Sequence, residues 1–256
     1  MLLWKSIAFG PIQSRRLGKS LGINLLDTSK KLCSFDCIYC ECGWTEEKKL
    51  TDLSYYPLTD TLQSIEEKLI DCWKSGVEID SITFSGNGEP TLHPEFGEIV
   101  TELLRLRARY YPQAVITCLS NATQLHRIDV REALYKIENP MLKLDAGTED
   151  YFQLINAPTT TITLAEIVRY LSDFQGNLII QTLFLKGIIK GIAFDNSSEP
   201  HFSAWLNHIQ NIDLKKLYIY SLDRVTPARH LVKFSHEELE TIADRVRVLG
   251  LDVGVY

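Results

Sequence analysis

Residues 21–40 read Leu21-Gly-Ile-Asn-Leu-Leu-Asp-Thr-Ser-Lys-Lys-Leu-Cys33-Ser-Phe-Asp-Cys37-Ile-Tyr-Cys40. The first six are nearly all apolar, the composition of a strand covered on both faces. A short loop follows at once and carries three cysteines. The fold is decided by whether such strands recur, and they do, at residues 79–84, 115–119, 141–145, 178–185, 217–220 and 251–255. Helical spacing fills the intervals. Leu62, Ile65, Leu69 and Trp73 make one face, Ile167, Val168, Leu171 and Phe174 a second, and Leu239, Ile242, Val246 and Leu249 a third. Capping boxes open two of these helices, Thr163 with Glu166 and Ser235 with Glu238.

Strands that alternate with helices predict an α/β fold, a parallel sheet under a helical cover. Six units and a final strand are too few for an eight-unit barrel. The expectation is a partial (β/α)6 TIM-like barrel, closed in part or open as a doubly wound sheet. A short N-terminal extension, with residues 9–14 as an edge segment, precedes it. The reading is a single domain, 1–256, with its core at residues 20–225 and a C-terminal helix and strand in 226–256. In either form the chemistry belongs at the carboxyl ends of the strands.

Composition sets outer limits. The chain has 256 residues, 45% apolar and 23% charged, as a globular protein does. It lacks an apolar run of about 18 residues, so no membrane span is expected. The start, Met1-Leu-Leu-Trp-Lys5, is too short and too soon charged for a signal peptide. A cytoplasmic location is therefore expected, where close-set cysteines signal metal binding or catalysis rather than disulfides. The net charge of −6 excludes a protein that coats nucleic acid nonspecifically. Residues 1–32 nevertheless carry a local +5, and residues 215–233 are basic again. Such patches either steer a phosphate-bearing substrate to one face or are scattered solvated charge.

Cysteines stand at 33, 37, 40, 42, 72 and 118. Three thiolates spaced by three and then two residues suit three corners of an iron–sulfur cube, leaving one iron open. The alternative is a zinc site completed by Cys42, although zinc ligands usually pair as knuckles far apart in sequence. A redox pair of Cys37 and Cys40 normally opens a helix in a thioredoxin-like unit, which is absent here. Cys72 and Cys118 read as small buried apolar residues.

The C-x3-C-x2-C spacing, with aromatic Tyr39 before the last cysteine, resembles the radical S-adenosylmethionine (SAM) superfamily. Ser85-Gly86-Asn87-Gly88-Glu89-Pro90 resembles its glycine–glutamate segment, and Ser120-Asn121-Ala122-Thr123 its Thr-Asn-Gly segment. Lys143-Leu-Asp145 resembles a stretch that touches the cofactor in several members. The resemblance implies a [4Fe–4S] cluster on Cys33, Cys37 and Cys40, with S-adenosyl-L-methionine on the open iron. It assigns cofactor contacts to Tyr39, Gly86, Asn87, Gly88, Glu89, Asn121 and Asp145. Without it, the same segments read as turns and helix caps.

Within the superfamily, residues 9–18, Lys143–Gly147 with Ile155-Asn156, and Gln181–Gly187 resemble bacterial relatives of wyosine-type tRNA synthases (4-demethylwyosine synthase-like proteins). Two departures stand out. A second set of three cysteines is missing upstream, and the substrate-linking lysine of those synthases has no clear counterpart. The implied chemistry is reductive cleavage of SAM to a 5′-deoxyadenosyl radical that takes hydrogen from a substrate. The implied electron donor is flavodoxin- or ferredoxin-like. The substrate is a tRNA nucleotide, with Arg15, Arg16, Arg224 and Arg229 on its phosphates, or a peptide or small metabolite. A non-catalytic zinc- or cluster-binding protein is the third reading, and Arg15-Arg16 could instead seal the base of the barrel through carboxylate pairs.

Overall fold

The computed structural model describes residues 2–45 and 55–256. Eleven strands are formed among them: β1 (Ala8–Ser14), β2 (Gly18–Ile23), β3 (Ser81–Phe84), β4 (Val115–Ser120), β5 (Asn139–Lys143), β6 (Ile179–Leu183), β7 (Leu185–Ile189), β8 (Ile192–Asp195), β9 (Lys216–Tyr220), β10 (Leu231–Lys233) and β11 (Val253–Val255). The main sheet has the order β1-β2-β3-β4-β5-β6-β9-β11. Every pairing from β2 to β11 is parallel, and β1 lies antiparallel on the edge. Each of the seven apolar runs contributes a strand to this sheet. The expected edge segment is β1.

Helices supply the crossovers: α1 (Leu58–Lys74), α2 (Phe96–Tyr110), α3 (Ile128–Tyr135), the single turn α4 (Glu149–Tyr151), α5 (Leu164–Ser172), α6 (His201–Gln210) and α7 (His236–Arg247). Both capping boxes form, on α5 and α7. The face of α1 differs from expectation. It buries Thr61, Ile65, Leu69 and Cys72, while Trp73 is 56% exposed. The indole is apolar, but the 3.6-residue period turns position 73 past the seam and puts the smaller Cys72 there. Among the described residues no helix is long and apolar enough to cross a membrane.

The sheet is strongly curved into a partial barrel, and Arg16 measures the curvature. It stands in the β1–β2 turn, four strand steps from β6, which on a flat sheet would be about 19 Å. Its guanidinium nevertheless donates to the Gln181 side chain of β6 at 3.1 Å and lies 4.7 Å from the Tyr220 ring of β9. The concave face is polar near its base: the Ser81 hydroxyl lies 3.0 Å from that of Thr83 and 2.9 Å from that of Thr117. The outer faces of the strands pack under the helices, where residues such as Ile82, Ile116 and Leu142 are fully buried.

Residues 178–185, one run in the sequence, divide between two sheets. Phe184 still donates its N–H to the Tyr220 carbonyl at 2.8 Å. Beyond it the Asn196 amide replaces the ladder, donating to the Leu183 carbonyl and accepting from the Leu185 N–H. The chain then leaves as β7 and forms a small antiparallel sheet, β10-β7-β8.

Candidate active site

The cysteine loop follows β2 and is clamped from two sides at the carboxyl end of the sheet. On one side Leu32 pairs with the segment after β3, donating to the Asn87 carbonyl at 2.8 Å and accepting from the Glu89 N–H at 3.0 Å. On the other, Asp36 and Ile38 donate to the carbonyls of Asn156 and Ile155, in the irregular turn after β5. Phe35, 2% exposed, packs edge-on against Phe152 and anchors the loop between them. Gly88 makes the first clamp possible. Its φ is +140°, and a Cβ there would stand 1.6 Å from the Leu32 carbonyl oxygen. Glycine therefore brings the main chain close to the cysteine loop itself.

Cys33 and Cys37 are buried, and Cys40 is partly so. Each of the first two faces a side-chain amide: Asn121 Nδ2 is 3.6 Å from Cys33 Sγ, and Asn156 Nδ2 is 3.6 Å from Cys37 Sγ. Lys31, 2% exposed, is enclosed by the loop, donates to the Gly43 carbonyl at 3.0 Å and stands 3.6 Å from Asp36 Oδ1. Burial pushes the Cys33 thiol up to about 12, against the pull of Lys31. Cys40 is held below the ordinary thiol range, first by the neighbouring Cys42 thiol and then, against burial, by Lys31. Burial works against the charge of Lys31, but the three cysteine sulfurs outweigh it and raise its pKa. The Cys42 thiol lies 3.2 Å from the Gly86 carbonyl oxygen.

The other sequence candidates divide by what their side chains touch. The Glu89 carboxylate is fully engaged, accepting from the Asn121 N–H at 2.6 Å and from the Thr91 N–H and hydroxyl. Burial raises its pKa and these bonds oppose the rise. The Asn87 amide is used up by the Trp4 and Asp27 main chain, so its side chain shapes the loop. Gly86 has φ +125°, and its missing Cβ makes room for Asn24. Tyr39, by contrast, reaches across to the β5 end. Its hydroxyl donates to Asp145 Oδ2 and accepts from the Lys143 ammonium at 2.6 Å. Asp145 is completed by Asn156 Nδ2 at 2.8 Å and the Leu183 N–H at 2.9 Å. Burial disfavours the charge of Lys143, but Asp145 and Tyr220 outweigh it and hold the pKa raised. A charged Lys143 lacks the lone pair that a covalent link to a carbonyl needs.

The arginines differ in their partners. Arg15 pairs with Asp223 at 3.2 Å and Arg224 with Glu41 at 2.5 Å, all substantially exposed. Arg16 finds no carboxylate, only Gln181 and Tyr220. Arg229 lines a surface concavity of about 550 Å³ beside Arg224 and Lys233. Among the described residues no three His, Cys, Asp or Glu side chains are arranged to hold a single metal ion. The zinc alternative lacks a formed ligand set there. A cubane takes each thiolate on a different iron, so its three sulfurs need not converge on one point, and the donor chemistry of the loop fits it. Lys31 and Gln181 had no place among the sequence candidates. Lys31 reads there as half of a Lys-Lys run, with nothing to mark it as buried.

A family model described as the Radical SAM superfamily matches residues 30–189. A UPF0026 protein of Methanocaldococcus jannaschii is 35% identical over 72% of this chain and 55% of its own length. A UPF0026 protein of Synechocystis sp. is also 35% identical, over 81% of this chain and 73% of its own. The chain thus spans little more than half of the first relative. The fold is similar to that of a radical SAM methyltransferase from Sphaerobacter thermophilus, with a TM-score of 0.66 at 13% identity, over 93% of this chain and 65% of that one.

Proposed function

The chain belongs to the radical SAM superfamily, within the group of UPF0026 proteins, and on that premise we propose that it is an enzyme whose Cys33, Cys37 and Cys40 hold a [4Fe–4S] cluster. Bound there, the cluster with S-adenosylmethionine supplies a one-electron cleavage that yields a 5′-deoxyadenosyl radical, with a flavodoxin- or ferredoxin-like donor as the electron source. The observation that carries the reading is the double clamp on the cysteine loop, which sets three thiols and a buried ammonium together at the carboxyl end of the sheet. The chain's own residues bind and orient. Glu89 fixes the start of the turn after β4 through the Asn121 N–H, so the two segments that face the cofactor move as one unit. Tyr39, Lys143, Asp145 and Asn156 form a closed hydrogen-bonded floor beside Cys37, which holds the polar lumen in one geometry. Anaerobic incubation with S-adenosylmethionine and dithionite should release 5′-deoxyadenosine; a fully loaded protein that releases none would overturn the proposal.

The substrate is proposed to be a polar, anion-bearing molecule. A nucleotide in a tRNA fits the arginines of the two basic patches, with Arg15, Arg16, Arg224 and Arg229 on phosphates. A peptide or small metabolite is the second reading. It is favoured because Arg15 and Arg224 are already paired, while Arg16 stands at the polar lumen without a carboxylate. Titration of tRNA binding against salt separates the two. Phosphate contacts by these arginines give a steep loss of affinity with salt, and Arg15→Ala with Arg16→Ala should flatten it. Binding that ignores salt and both substitutions leaves the second reading.

A further inference from the structure

Lys31 is not accounted for by any of the motifs. Lysine is almost never fully buried unless paired, yet its side chain is 2% exposed. The ammonium has three hydrogens to place. One goes to the Gly43 carbonyl at 3.0 Å. Asp36 Oδ1, at 3.6 Å, is too far for a good hydrogen bond, and that oxygen already accepts from the Thr45 N–H at 2.7 Å. The Gly43 N–H in turn donates to the Cys40 carbonyl at 2.9 Å, so the ammonium is enclosed by the cysteine loop, between Asp36 and Gly43. Cys33 and Cys37 receive only long amide contacts of 3.6 Å. Among the described residues the ammonium has one close oxygen partner, and it lies inside the loop that carries the three sulfurs.

We propose that Lys31 is a positioning residue of the cluster site: its buried ammonium, enclosed by the loop that carries Cys33, Cys37 and Cys40, makes the cluster easier to reduce. The proposal rests on Cys33, Cys37 and Cys40 being the cluster ligands. The physical reason is charge. Reduction adds an electron to a group that already carries negative thiolates, and hydrogen bonds and positive charge at the sulfurs stabilise the added electron. In a dry pocket that attraction is much stronger than in water.

The test uses the anaerobically reconstituted chain and follows the midpoint potential by EPR during a dithionite titration. Lys31→Met should shift the midpoint to more negative values, and Lys31→Arg should restore most of it. A Lys31→Met protein that loads normally and keeps the wild-type midpoint overturns the proposal. Should Met empty the site while Arg fills it, the cation is needed to assemble the cluster, which supports the proposal. Should both empty it while circular dichroism keeps the fold, Lys31 is a staple of the Gly43 turn and the proposal fails. A wild-type chain that takes up no iron sinks the cluster reading itself.

Discussion

At the scale of single residues, the site is built from close approaches that tolerate little change. Gly88→Ala puts a methyl group onto the Leu32 carbonyl at a left-handed φ, so it should cost more than about 1 kcal/mol. Iron uptake should fall with it, because the same contact holds the cysteine loop; uptake at the wild-type level would show that the loop is held otherwise. Glu89→Gln turns an acceptor of several donors into a group that must point an NH2 at some of them. A loss of roughly 2–3 kcal/mol in a urea titration is expected, and an unchanged midpoint would contradict the bonding described. That three cysteines share one loop after β2 is legible because their spacing is itself the signal. Lys31 was not, because its burial is created by Gly43 and Asp36 folding over it. Glu89 and Asn87 were legible as positions but not as roles: their side chains serve the neighbouring loops, a partner choice that tertiary contact alone decides.

At the scale of elements, the parallel strands were readable because each is covered on both faces and so is apolar throughout. The small sheet was not. β10 has three residues, β8 has four, and β7 continues the apolar run of β6 without a turn signal. Asn196, distant in sequence, makes the break. The capped helices were readable from local chemistry alone. Thr163→Ala and Ser235→Ala should each cost about 1 kcal/mol in denaturant unfolding and leave iron content untouched. A variant that loses iron as well would mean that α5 or α7 is coupled to the site, which the clamps on the cysteine loop do not require.

At the scale of the whole molecule, the partial barrel gathers the chemistry of β2, β3, β4 and β5 at one end and leaves a polar lumen that Arg16 crosses. Arg16→Ala should loosen the β1–β2 hairpin from β6 and β9, raising amide hydrogen exchange in the hairpin before it lowers global stability. Unaltered exchange would mean that curvature is held by the core alone. The central claim is that three thiolates grip a cluster whose last iron is left for S-adenosylmethionine. It is tested most directly by iron content and EPR of the reduced protein across single Cys→Ala variants. The wild type and Cys42→Ala should hold about four irons per chain and show a signal that shifts on adding S-adenosylmethionine, while variants at Cys33, Cys37 or Cys40 should lose it. A cluster that also needs Cys42, with a signal indifferent to S-adenosylmethionine, would contradict the account.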